Sequence, residues 1–165
     1  MKRRINTKEL IDKIEKITKS RMASQEVVSL DNFRDFKKKI HPKTILVIED
    51  DETMRMALKR IFESDGFQVK MAADGTELST AIDTGAPPDI ILLDIGLPWI
   101  NGFELAQLLK EHRELKKIPL VFVSGKSSDE EIKKAFELGA DDFIKKPFEV
   151  EKIKRTVNTL LKINE

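Results

Sequence analysis

Four apolar runs, each leading to a residue equipped for chemistry, constrain this chain more than any other feature. ILVI precedes Glu49-Asp50, IILL precedes Asp94, LVFV precedes Ser124, and FI stands just before Lys145-Lys146-Pro147. Short, continuously apolar runs rich in β-branched residues read as strands of a parallel sheet covered on both faces. In an open α/β sheet the carboxyl ends of the strands share one rim, and ligands bind there. The pattern therefore gathers three carboxylates, one hydroxyl and one ammonium at a single rim. Three acids need more positive charge than one lysine supplies. The residues point to a divalent metal beside an aspartate placed to act as a nucleophile.

Between these runs the chain alternates strand and helix. The spacing predicts strands at Thr44–Ile48, Phe67–Ala72, Ile90–Leu93, Pro119–Val123 and Phe143–Lys145. It predicts helices at Glu52–Ser64, from Asp74-Gly75 to near Gly85, at Phe103–Glu111, from Asp129 to Gly139, and at Val150–Leu161. Pro42 favours a boundary just before the first strand, and Pro87-Pro88 resets the chain before the third. Five βα units with short connections predict an α/β fold, a doubly wound five-stranded parallel sheet.

Charge divides the chain into two parts. The net charge of +1 conceals 13 Lys/Arg against 6 Asp/Glu over residues 1–43, and 17 against 23 over residues 44–165. A basic arm (1–43) joined to an acidic body (44–165) is the expected domain organisation. The chain has no cysteine, which excludes disulfides and thiolate metal sites. No apolar h-region follows Lys2-Arg3-Arg4, and no apolar run is long enough to span a membrane. A cytoplasmic protein is expected.

ILVIEDD, IILLDIGLPWINGFE, LVFVSGK and GADDFIKKPF resemble, in order and approximate spacing, the four sequence blocks of the response-regulator receiver (CheY-like) family. The resemblance covers about residues 44–162. It implies the sheet order 2-1-3-4-5 and a switch in two-component signalling, phosphorylated on Asp94 by a sensor histidine kinase or phosphotransfer protein with Mg²⁺, or with Mn²⁺. It assigns metal ligation to Asp50, Asp94 and the backbone carbonyl of Gly96, with Glu49 acting through water. Asp51 and Glu52 blur the register by one, but acids also favour the first turn of a helix, and that reading is preferred for both.

Lys146 is the family's cation for the phosphoryl oxygens, and strand alternation separates it from Lys145. The family's Lys-Pro bond is cis, a form open to X–Pro bonds at modest cost. Ser124 matches the position whose hydroxyl meets the phosphoryl group, and Phe143 the aromatic switch position, although core packing explains Phe143 equally well. The implied switch surface comprises the helix from Asp129, the fifth strand and the last helix. Two departures concern phosphoform lifetime. Gly96 offers no side chain to position a hydrolytic water, and Lys126 can cover or pair with the phosphoryl group, so a long-lived phosphoform is expected. Trp99-Ile100 is bulkier and more apolar than that loop requires, and packing over the adjacent helix is the preferred reading. His41 and His112 make no site.

The arm carries Asn6 or Thr7 and Glu9 as a capping box, then Leu10, Ile11, Ile14 and Ile17 at helical spacing. A polar break is expected at Thr18–Ser24, with a second stripe at Leu30, Phe33, Phe36 and Ile40. About 40 residues make no independent core, so the arm is expected to dock on its receiver or to pair in a homodimer through residues 1–40. Nucleic-acid binding through Lys2, Arg3, Arg4 and the following lysines is disfavoured, because no aromatic residues are interleaved. Binding to an anionic membrane surface is disfavoured because the first helix has no Trp or Phe. With the body ending at Glu165, output is expected through protein contacts. The alternative is a phosphorylation-independent interaction module working through its arm. A hydrolase with an aspartyl nucleophile ranks last, since Gly96 stands where a second acid is wanted. The protein is read as a switch and not as an enzyme.

Overall fold

The computed structural model describes residues 7–22 and 41–163. The chain parts into two units, Met1–Pro42 and Lys43–Glu165. In the first, α1 runs from Thr7 to Met22. The polar break expected at Thr18 does not interrupt it. The Thr18 hydroxyl donates to the Ile14 carbonyl at 2.8 Å, absorbing the residue into the helix. Ile11 and Ile14 are half-buried, and Ile17 is 48% exposed. Asn6 and the stripe Leu30, Phe33, Phe36 and Ile40 lie outside the described residues.

The second unit alternates strictly: β1 (Thr44–Ile48), α2 (Glu52–Ser64), β2 (Gln68–Ala72), α3 (Gly75–Asp83), β3 (Ile90–Leu93), α4 (Gly102–Glu111), β4 (Leu120–Ser124), α5 (Asp129–Glu137), β5 (Asp142–Lys145) and α6 (Val150–Ile163). The sheet is parallel throughout, with strand order β2-β1-β3-β4-β5. The predicted elements are all present with ends displaced by a residue or two. The second strand starts at Gln68 because the Phe67 N–H is spent on the Phe62 carbonyl at 3.1 Å, and the Gln68 N–H is the one that donates toward β1, to the Lys43 carbonyl at 2.9 Å. The fourth starts at Leu120 and takes in Ser124, whose backbone pairs with Lys145.

Side-chain alternation splits the core into two layers. Leu46, Ile48, Ile91, Leu93, Leu120, Phe122 and Phe143 face α3, α4 and α5. Ile45, Val47, Ile90, Leu92, Val121, Val123 and Ile144 face Leu58 and Phe62 of α2 and Ile153, Val157 and Leu161 of α6. Covering both faces is why the strands read as continuous apolar runs. Register then places the site. Ile48 pairs with Leu93 and Leu93 with Phe122, so Glu49 and Asp94 leave the sheet at one level. The Asp94 N–H carries the ladder one step further, donating to the Ile48 carbonyl at 3.1 Å.

Candidate phosphoacceptor site

The rim brings together the acids that the sequence singled out. Carboxylate oxygens of Glu49, Asp50 and Asp94 lie within 4.8 Å of one another. Glu49 is 3% exposed and Asp50 is exposed. Lys146 donates to Glu49 Oε2, and its Nζ lies 3.6 Å from Asp94 Oδ2. Lys145 ends β5 exposed, as alternation requires. The Lys146-Pro147 bond is cis.

Burial pushes the Glu49 carboxyl above its ordinary range. The Lys146 hydrogen bond and charge oppose this, the Asp94 charge adds to it, and the Asp51 N–H, donating to Glu49 Oε1 at 3.1 Å, opposes it. Asp51 itself is the N-cap of α2, accepting from the Met54 N–H at 2.7 Å, and Glu52 falls in the first turn. The Asp94 carboxylate is steadied by the Gly96 N–H at 3.2 Å from Oδ1.

Ser124 is buried, with its Oγ accepting from the Lys126 N–H at 3.1 Å and its carbonyl from the Lys146 N–H at 3.0 Å. Phe143 is 8% exposed, its ring 6.1 Å from that of Phe122, so the conformer seen is the packed one. Lys126 arches over the acceptor loop: a Cβ added at Gly96 would lie 3.6 Å from Lys126 Cε and 3.9 Å from Asp94 Oδ2. His112 caps α4 and accepts the Glu114 N–H on Nδ1, while His41 lies 3.5 Å from Glu15. Neither histidine joins the rim.

Three contributors were not legible as such. Arg55 Nη1 donates to the Glu49 and Asp50 carbonyls at 2.9 and 3.0 Å, fixing the backbone that bears both acids. Its place one turn into the helix after an acidic run was the available signal. Trp99 is half-buried against the core, and its indole N–H donates to the Ala73 carbonyl at 3.1 Å. Gly102 closes the acceptor loop, donating to the Ile95 carbonyl at 2.9 Å.

Donor chemistry decides which ion such a pocket fits. Three hard carboxylates against one ammonium leave excess negative charge in a partly buried space, which suits Mg²⁺ and not a soft metal. A parallel sheet in this order, with a magnesium-type acidic cleft facing a lysine at its carboxyl rim, defines a phosphoacceptor module of two-component signalling. The family model "Response regulator receiver domain" matches residues 45–158, and the chain belongs to that family.

Relatives fall in the same class. The DNA-binding response regulator MtrA of Mycolicibacterium paratuberculosis is 31% identical over 121 residues, 73% of this chain and 52% of its own length. The chain thus spans about half the length of that regulator. The receiver domain of the Francisella response regulator 1452 matches with a TM-score of 0.68 at 28% identity, over 74% of this chain and 99% of that one. The receiver domain of sensor histidine kinase PA1611 from Pseudomonas aeruginosa was solved with magnesium coordinated in its active-site cleft. It shares the fold, with a TM-score of 0.65 at 20% identity, over 73% of this chain and 98% of that one. Among the described residues, no helix is long and apolar enough to cross a membrane.

Proposed function

We propose that this protein is a cytoplasmic response regulator that accepts a phosphoryl group on Asp94 from a histidine kinase or phosphotransfer protein. One observation carries the reading: Asp94 shares a pocket with Glu49 and Asp50 while the Lys146 ammonium stands 3.6 Å from its Oδ2. An Asp94 carboxylate oxygen attacks the phosphorus of phosphohistidine. The new P–O bond forms as the P–N bond breaks, and the departing imidazole takes up a proton from solvent. Acetyl phosphate is an equivalent donor, losing acetate.

Mg²⁺, or Mn²⁺, held by Asp50, Asp94, the Gly96 carbonyl and Glu49 through water, supplies charge neutralisation to the phosphoryl oxygens when bound. Lys146 is the fixed cation for the same oxygens. Ser124 then donates a hydrogen bond from its hydroxyl to the transferred group, a donor that accepting from the Lys126 N–H leaves available. Phe143, already packed beside Phe122, shifts further into the space that this movement opens, and the surface of α5, β5 and α6 reports the change.

Residues 1–43 act as a regulatory extension and residues 44–165 as the receiver. Lys8, Lys13, Lys16 and Lys19 are exposed on α1 beside Ile11, Ile14 and Ile17, a basic amphipathic surface suited to an acidic receiver, its own or that of a second copy.

Intact mass after incubation with acetyl phosphate and Mg²⁺ tests the reading, with Asp94→Ala and EDTA as controls. A single phosphate adduct lost in both controls is expected. No adduct, together with no beryllofluoride binding, would overturn it in favour of a phosphorylation-independent interaction module acting through the arm.

A further inference from the structure

We infer that Trp99 is a positioning residue for the acidic pocket: its indole ties the loop after Asp94 to the loop after β2 and so sets Asp94 against Glu49 and Asp50. The consequence for phosphorylation rests on the function proposed above. The tie itself is geometry.

The segment from Ile95 to Asn101 makes no sheet ladder, yet its conformation decides where the Asp94 carboxylate and the Gly96 carbonyl point. Its far end is held by the Gly102 N–H on the Ile95 carbonyl at 2.9 Å. Its middle is held by Trp99, whose Nε1–H donates to the Ala73 carbonyl at 3.1 Å. The ring lies so close to Gly75 that a Cβ there would sit 3.3 Å from Cζ3. Glycine is what lets the indole approach.

The receiving loop is a firm anchor. The Ala73 N–H donates to Glu77 Oε2 at 2.7 Å, and Asp74 caps α3 through the Glu77 N–H at 2.8 Å. The carbonyl just before, that of Ala72, accepts the Glu49 N–H at 3.1 Å. Both acid-bearing loops therefore hang from consecutive carbonyls at the end of β2, Glu49 through its backbone and the Asp94 loop through Trp99. A residue serving only to fill space would need no donor. An N–H aimed at Ala73 fixes the loop's register as well as its burial, and partners that orient a metal's ligands affect affinity although they never touch the ion.

The test compares full-length wild type with Trp99→Phe and Trp99→Ala. Three quantities are read: melting temperature in EDTA, Mg²⁺ affinity of the unphosphorylated protein by calorimetry, and the acetyl phosphate KM and maximal rate. Trp99→Phe keeps an aromatic ring and loses the donor, so it should melt close to wild type yet bind Mg²⁺ several-fold more weakly. Trp99→Ala should bind it roughly tenfold more weakly. The maximal phosphorylation rate at fixed Mg²⁺ should fall in step while the acetyl phosphate KM holds. Wild-type Mg²⁺ affinity in a folded Trp99→Phe protein would overturn the inference and leave the site reading intact. A wild type that neither binds Mg²⁺ nor forms the adduct would overturn the site reading and the inference together.

Discussion

Lys146 Nζ lies 3.6 Å from Asp94 Oδ2 while donating to Glu49 Oε2, so one ammonium serves two carboxylates at the rim. With its side chain 18% exposed and that of Glu49 3%, the contact is far less screened than a surface ion pair. The same cation makes the acidic pocket tolerable to the fold, and on the function proposed above it would also face the phosphoryl oxygens at Asp94.

Lys146→Met removes the charge and keeps most of the volume. Phosphorylation by acetyl phosphate should slow roughly a hundredfold, the usual loss when one positioned donor is taken from a transition state. The Glu49 carboxylate is then left against Asp94 without its partner, which costs on the order of 3 kcal/mol. Denaturant unfolding in EDTA measures that loss, and adding Glu49→Gln to the Lys146→Met background should recover most of it without restoring phosphorylation.

Crowded acids also make the fold a sensor of its metal. An ion that binds only the folded state at about a hundred times its Kd stabilises it by about 2.7 kcal/mol, a rise on the order of 10 °C for a unit of this size. Thermal melts with Mg²⁺ and with EDTA should differ by that amount. Asp50→Asn should abolish most of the difference, whereas Asp51→Asn, a substitution at the α2 cap, should retain it.

Gly102 and Gly125 sit at the two flanks of the site and should respond in opposite ways to a methyl group. At Gly102 the added carbon would stand 2.5 Å from the Asp94 carbonyl oxygen and from Ile95 Cα, so the backbone of the acceptor itself must move. Gly102→Ala is expected to lose about 1–3 kcal/mol, the usual cost of overpacking, and to slow phosphorylation. Gly125 has nothing within 4 Å of its Cβ position, and Gly125→Ala should stay within about 0.5 kcal/mol of wild type. Equal losses in the two would show that the close approach at Gly102 does not constrain the acceptor loop.

Much of this was legible because each strand carries its own address. A run such as IILL states burial on both faces, and the residue after it must emerge at the rim, which is how Asp94, Glu49 and Ser124 could be placed from sequence. Strand alternation sends Lys145 and Lys146 to opposite faces, and the resemblance picks out Lys146 as the lysine directly before Pro147. Backbone acceptors were not legible. The position of Arg55 one turn after an acidic run hints at a role beside those acids, but not that its guanidinium takes the Glu49 and Asp50 carbonyls, nor that Trp99 takes that of Ala73, because carbonyls are the same at every position and only the fold selects one. The end of α1 is hidden in the sequence for a related reason. Thr18 looks like a break, yet in place its hydroxyl satisfies the Ile14 carbonyl and the helix continues to Met22.

Removing residues 1–40 tests the arm. If α1 docks on a receiver, the truncated protein should differ from the full chain in sedimentation behaviour, in melting temperature or in phosphorylation rate. Docking between a basic arm and an acidic body should also weaken as salt rises and the charges are screened. A truncation unchanged on all three counts would remove both docking and pairing. A salt-sensitive gel shift confined to the full chain would instead assign the arm to nucleic acid.

The lifetime of the phosphoform should depend on Lys126 and Gly96. Hydrolysis requires water in line with the Asp94–phosphoryl bond, and two features of the rim oppose it. Gly96, two residues beyond the acceptor, has no side chain to hold that water. Lys126 passes its Cε 3.6 Å from where a Gly96 Cβ would be, so its ammonium can lie over the approach and pair with phosphoryl oxygens. Lys126→Ala removes cover and charge together, and the phosphoprotein should decay roughly tenfold faster, equivalent to about 1.4 kcal/mol of barrier. Lys126→Met keeps the cover without the charge and separates the two effects: an intermediate rate assigns part of the protection to bulk. Gly96→Asn supplies a water-binding amide and should accelerate decay further in the Lys126→Ala background than alone, because the lysine no longer blocks the space. The measurement is loss of the phosphate mass adduct with time after acetyl phosphate is removed. Decay at the wild-type rate in Lys126→Ala would show that the protection lies elsewhere in the site.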